Sequence, residues 1–151
     1  MTTPKCYTIT DKDNDVVLVE TKNRHFIYPI NNQDYYIATD TNPIIGSYGL
    51  DSSVCIIMRS SSKSTMLSNI TDAEQIQDFF KIFDSQNKID VYMMGGNSTS
   101  IDMCQSILSY FENKNKYNIK FVHLIDSNIN SIGIDSRTGE LYVNPDITYF
   151  V

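Results

Sequence analysis

The sequence has no tryptophan, three cysteines, two histidines and an excess of acid over base, and each shortage excludes something. Cys6, Cys55 and Cys104 are odd in number and form no CxxC pair. They make neither a disulfide framework nor a zinc set, and such usage fits a reducing, cytoplasmic setting. His25 and His123 stand far apart with no HExxH motif, so no metal or other cofactor is expected. Twelve Lys and Arg against eighteen Asp and Glu give a net charge of −6. That balance lacks the clustered basic surface a nucleic-acid partner needs, and equally a polybasic membrane patch. The longest apolar run, Val54 to Met58, is too short for a bilayer span. No basic and apolar leader pattern follows Met1, which favours a cytoplasmic, soluble protein.

What is present is an ordinary globular composition, 41% hydrophobic and 20% charged over 151 residues. That length suits one domain, 1–151. β-rich runs at Cys6–Thr10 and Val16–Glu20 flank the polar turn Asp11–Asp15. The turn fails as a calcium loop: Val16 stands where glycine is needed and Lys22 where a bidentate Glu is needed. Extended runs follow at His25–Tyr28, Asp34–Thr39 and Ile44–Ser47, and Ser53–Met58 reads as a strand buried on both faces. Thr71-Asp72-Ala73-Glu74 predicts a capping box, with Ala73, Ile76, Phe79, Phe80 and Phe83 on one helical stripe behind it. Ile89–Met94 is the next strand, closed by Gly95-Gly96. Asn97–Ser100 then cap a second helix whose inward stripe is Ile101, Cys104, Ile107, Leu108 and Phe111. The Gly95–Ser100 loop lacks the GK[ST] ending of a nucleotide-binding P-loop.

Strands return at Ile119–Ile125, with Phe121, His123 and Ile125 predicted on one face and Val122 and Leu124 on the other. A hairpin follows, Ile129–Ile134 and Glu140–Val143 around a loop holding Gly139. Arg59–Ser64 is a hydrophilic surface loop rich in serine. The order of elements makes the chain α+β, with two helices on a largely antiparallel or mixed sheet.

Three stretches carry a resemblance. Ile45-Gly46-Ser47 is followed after five residues by Ser53 and then by a hydrophobic strand ending in Arg59. Leu50-Asp51-Ser52-Ser53-Val54 also parallels a Leu-Gly-Ser-Cys-Val stretch. Val91–Gly96 is a strand ending in Gly-Gly before a helix, and Ile132–Leu141 is a strand, a Thr-Gly turn and a strand. Over roughly residues 35–145 the chain resembles the cysteine amidohydrolase superfamily. This superfamily contains the CheD chemoreceptor deamidases, the cytotoxic-necrotizing-factor toxins and the protein N-terminal asparagine amidohydrolases, and the last are the nearest on these stretches. The resemblance implies a CheD-like single-domain β-sheet sandwich with two helices packed on the sheet. It also implies side-chain amide hydrolysis, in which a Cys thiolate attacks the amide, a His takes the thiol proton, and ammonia leaves before water cleaves the thioester.

At the positions the resemblance assigns, Ser53 stands for the nucleophilic Cys, Ser68 for the His, and Ser47 for a hydroxyl the family also carries. A serine without a base stays protonated near neutral pH and is a poor nucleophile. Cys55, two residues beyond Ser53 on the same strand, and His123 are the fallback nucleophile and base. Two readings therefore stand. One is an amidohydrolase acting on a protein or peptide with an N-terminal Asn or a surface Gln. The other is a catalytically silent relative that binds such a polypeptide in the old cleft.

Overall fold

A computed structural model of the protein describes residues 7–8, 35–40, 43–47, 52–83, 87–111, 115–125 and 132–143. The expected runs Val16–Glu20 and His25–Tyr28 and the Asp11–Asp15 turn lie outside the described residues. The strands are β1 Tyr7–Thr8, β2 Tyr35–Ile37, β3 Ile44–Ser47, β4 Val54–Ser60 and β5 Thr65–Ile70. Helix α1 Gln75–Ile82, strand β6 Ile89–Gly95, helix α2 Ile101–Phe111 and strands β7 Tyr117–Leu124, β8 Ile132–Asp135 and β9 Leu141–Val143 follow. A six-stranded sheet runs β1-β7-β6-β4-β5-β2 and a three-stranded sheet runs β3-β8-β9. All pairs are antiparallel except β6 with β7, which α2 connects. The protein is α+β, as the order of elements predicts.

Period-two alternation builds three layers from this. Along β4, Val54, Ile56 and Met58 join Ile76, Phe79 and Phe83 of the α1 segment and Cys104, Ile107 and Phe111 of α2 in one core. Cys55 and Ile57 point the other way, into a second core shared with Ile45, Ile132, Ile134 and Leu141 of the small sheet. β4 is buried on both faces from Val54 to Met58, as its unbroken apolar run predicts. Helices therefore cover one face of the large sheet and the small sheet covers the other. Tyr142 is fully buried although its neighbours Leu141 and Ile134 serve the inner core. It stands in register with Gly133, which in turn pairs with Gly46, two positions with no side chain to displace it.

Three local features depart from the expected pattern. The β6–β7 register shifts between Val91 and Tyr92, with Ile119 opposite Val91, Phe121 opposite Tyr92 and Lys120 falling between the two matched pairs. This bulge puts Ile119 on the helix side and Phe121 between the sheets, where simple alternation would join them. Ile125 does not share the face of Phe121: its φ of 62° turns it onto the helix-side core with Val122 and Leu124. The capping box sits one residue later than expected. Asp72 Oδ1 accepts from the Glu74 amide at 3.0 Å, and Gln75 Oε1 accepts from the amides of Asp72 at 3.1 Å and Thr71 at 2.8 Å. Glu74, at the helix boundary, makes no capping bond, because a tight turn from Asp72 to Gln75 places Gln75 at the returning position.

The β4–β5 hairpin closes with Lys63 N–H on Ser60 O at 2.8 Å and Ser60 N–H on Ser64 O at 2.8 Å. Lys63 takes the left-handed position with φ 76°, where glycine is the usual residue and any other costs about 1 kcal/mol. The β8–β9 turn uses Gly139 there, with φ 82°. A Cβ on Gly139 would lie 3.1 Å from a guanidinium nitrogen of Arg59. That guanidinium donates to the carbonyls of Ser136 at 3.0 Å and Arg137 at 3.4 Å, tying the two sheets together. Among the described residues no helix is long and apolar enough to cross a membrane.

The capping geometry sets an expectation. Asp72→Ala is expected to cost about 1 kcal/mol in denaturant unfolding, and Thr71→Ala only a few tenths. A larger loss at Thr71 would restore the box to its sequence-predicted position.

Candidate functional site

The sandwich has two ends. β3 runs from the β8–β9 turn, where Ile44 pairs with Asp135, to the opposite end, where Ser47 pairs with Ile132. That second end also holds the start of β4, the end of β5 and the Gly95-Gly96 exit of β6. Alternation sends Ile45 and Ser47 inward toward the large sheet, and Leu67 and Asn69 of β5 outward to meet them. Ser47, 3% exposed, donates its hydroxyl to Asn69 Oδ1 at 3.2 Å, a polar bridge between the sheets.

Ser53 stands just before β4 and is half-buried. Its carbonyl accepts the Gly96 amide at 2.9 Å. Gly95, with φ 122°, passes so close that a Cβ there would lie 2.3 Å from that carbonyl oxygen. Gly95 is thus needed for the β6 exit to pass under the start of β4, while Gly96, with φ 83°, makes room for Cys104, whose Sγ would lie 2.6 Å from a Cβ there. Among the described residues the Ser53 hydroxyl makes no hydrogen bond.

Ser68 is not in this company. Its neighbours Met66 and Ile70 belong to the helix-side core, so alternation puts Ser68 there too. It is fully buried, and its hydroxyl donates to the Ile56 carbonyl at 3.3 Å across the β4–β5 ladder. The sheet itself separates Ser68 from Ser47. The side chain facing Ser47 is Asn69, one position on, because alternation along β5 puts adjacent residues on opposite faces.

Cys55 and His123 are also kept apart. Cys55 pairs with Met94 of β6, and Met94 with His123 of β7, so two strand spacings of about 9.6 Å intervene. Met94 lies between them on the same core face as Cys55. His123 is 7% exposed and stacks on Phe121, with ring centroids 6.2 Å apart and planes 14° apart. Burial pushes the Cys55 thiol far above its ordinary value of 9.0, so it stays neutral at physiological pH. Tyr92, in the same core, is pushed up to about 12, first by burial and then by the nearby Asp90, with Arg59 opposing.

On the other face, Cys104 is buried against Gly96, and burial raises its thiol despite a hydrogen bond from Ser100. The Asn97–Ser100 segment caps α2: Asn97 Oδ1 accepts the Thr99 amide at 2.9 Å and Ser100 Oγ the Asn97 amide at 2.9 Å. These bonds close the turn that leads into α2, and the Ser100 carbonyl accepts the Cys104 amide at 3.0 Å. No group of three or more His, Cys, Asp and Glu side chains among the described residues is placed to hold a metal ion. His25 lies outside the described residues.

No family model matches the chain, and no curated protein matches it either. The resemblance therefore rests on the short motifs, and the geometry of Ser47, Ser53 and Asn69 must carry the functional argument.

The buried acids give a pH expectation. The folded protein keeps protons on Cys55 and Tyr92 that the unfolded chain releases, so this stability is complete below about pH 9 and is lost as pH rises beyond it. Denaturant midpoints are expected to fall from about pH 9 to about pH 11, less steeply in Cys55→Ala. Iodoacetamide mapped by mass spectrometry is expected to leave Cys55 unmodified until the protein unfolds. Rapid native labelling would show a reactive thiol.

Proposed function

We propose that the protein is a catalytically silent relative of the amidohydrolases it resembles. In this reading it binds a polypeptide bearing an N-terminal Asn or a surface Gln, at the sandwich end marked by Ser47, Ser53 and Asn69. The observation that carries the proposal is the Ser47–Asn69 hydrogen bond. Activation of Ser53 would need a base within reach of its hydroxyl, and the polar side chain that meets Ser47 between the sheets is a carboxamide. A carboxamide takes up no proton near neutral pH, so it cannot activate Ser53. Neutral Cys55 and distant His123 do not substitute for it. In serine proteases, loss of a single triad member removes several powers of ten in rate, leaving binding and oxyanion contributions.

Binding makes smaller demands. With Oδ1 accepting from Ser47, Asn69 keeps its Nδ2 hydrogens, which make no hydrogen bond among the described residues. They suit the carbonyl oxygen of a second carboxamide, and the half-buried Ser53 hydroxyl offers a donor and an acceptor beside them. A side-chain amide is the ligand chemistry that this pair complements.

Ammonia release and product mass spectrometry on peptides with N-terminal Asn or internal Gln test the reading. The unmodified protein is expected to release none, while fluorescence anisotropy detects peptide binding weakened about tenfold by Asn69→Leu, roughly the loss of one well-made hydrogen bond. A Ser53→Cys, Asn69→His double variant is expected to gain hydrolysis. Ser53→Cys with Ser68→His is expected to remain silent, because Ser68 faces the helices. Ammonia from the unmodified chain would replace this reading with an active amidohydrolase.

A further inference from the structure

At the other end of the sandwich an open polar cleft of about 410 Å³ lies among the β4–β5 turn, the β8–β9 turn, residues 38–40 and Pro43. Lys63, Arg137, Ser62, Ser64 and Asp40 are among its lining residues. The volume is that of a small-molecule site, but the lining is hydrophilic, so a polar ligand is required.

Lys63 is the anomaly. The turn geometry calls for glycine at its position, and the neighbouring β8–β9 turn has one. Three hydrogen bonds hold Lys63 in the left-handed conformation: its amide on Ser60 O, Ser60 N–H on Ser64 O, and Thr65 Oγ1 on the Lys63 carbonyl at 3.0 Å. All three use backbone that glycine would supply equally well. Among the described residues the Lys63 ammonium makes no hydrogen bond and no ion pair that would offset the strain. Strain held at a cleft by a charged side chain without a partner among the described residues suits a ligand there.

Arg137 is prepared in the opposite manner. Asp135, buried at 8% side-chain exposure, grips it through Nε at 3.0 Å and Nη2 at 2.8 Å. The rest of the guanidinium stays open, with the side chain 61% exposed at the cleft. An arginine anchored by one edge presents its remaining donors in a fixed plane, which suits an oxyanion. The Ser64 hydroxyl adds a donor, the Ser62 hydroxyl shares its hydrogen bond with Ser60 Oγ at 2.6 Å, and Asp40 sets an acidic boundary that favours a ligand with a hydroxyl or amino group on that side.

We propose that this cleft binds the oxyanion of a small hydrophilic molecule, a phosphate or carboxylate group, between Lys63 and Arg137. The site lies at the opposite end of the sandwich from Ser47 and Ser53 and is independent of what happens there. Amide NMR shifts of the whole protein, titrated with sodium phosphate and separately with sodium acetate at constant ionic strength set by sodium chloride, test it. Saturable shifts are expected at Lys63, Ser64 and Arg137, and the stronger of the two anions identifies the group. Lys63→Gly and Arg137→Gln are each expected to weaken binding at least about tenfold. Lys63→Gly is also expected to keep or raise the melting temperature, since it relieves the left-handed strain. Absence of saturable shifts with both anions, unchanged affinity in Lys63→Gly, or a lowered melting temperature in that variant would each overturn the proposal.

Discussion

Strand β4 is the constraint on which the rest depends. It is buried on both faces, so a slip of one residue would exchange Val54, Ile56 and Met58 with Cys55 and Ile57 between two cores of different shape. Its partners inherit the register: β5 and β6 pair with it over nearly their whole lengths. Once β4 is fixed, the face of every residue on β5 follows. That is why Asn69 meets Ser47 across the sandwich, and why Ser68 is committed to the helix-side core before any chemistry is considered.

The small sheet is held by the same logic with polar ties at each end. Its Ile45, Ile132, Ile134 and Leu141 bury against Ile57, Leu67, Tyr92 and Phe121 in the middle. Apolar contact is non-directional and leaves sliding cheap. The Ser47–Asn69 hydrogen bond at one end and the Arg59 bonds to the Ser136 and Arg137 carbonyls at the other supply direction. The Ser136 amide on the Pro43 carbonyl at 2.9 Å continues the β3–β8 ladder beside Arg59. Both ends of the sandwich are therefore polar, and both functional proposals arise there.

Elements whose signal is local were legible in the sequence. The doubly buried β4, the apolar stripes of α1 and α2, the Asn97–Ser100 cap and the hairpin around Gly139 each follow from a pattern contained in a few residues. What the sequence concealed depends on pairing. The Lys120 bulge exists only relative to β6, and it moves Ile119 and Phe121 to opposite faces. The cap at Asp72 and Gln75 competes with one at Thr71 and Glu74 that looks equally good on paper, and a tight turn decides between them. The site suffered most. Ser47 and Ser53 lie near one end of the sandwich, but Ser68 faces the helix-side core and Asn69 is the residue that meets Ser47, because face, unlike order, is not written in a short motif. Lys63 carried no signal at all: only its φ of 76° distinguishes it from any surface lysine.

Parity along β5 also bears on how such a site could lose catalysis and keep binding. The position facing Ser47 needs a side chain that hydrogen-bonds to a hydroxyl and fits between two sheets. Histidine and asparagine both meet that steric and hydrogen-bonding demand, but only histidine exchanges a proton near neutral pH. With Asn69 there, the sheets are bridged by a side chain that exchanges no proton near neutral pH. Ser53 stands in the same relation to cysteine: similar in size and hydrogen bonding, but far weaker as a nucleophile at neutral pH. Neither residue disturbs the β4 register, the passage of Gly95 beneath Ser53, or the core beneath them. A fold organised around a doubly buried central strand leaves the chemistry at its rim free to change without loss of the core.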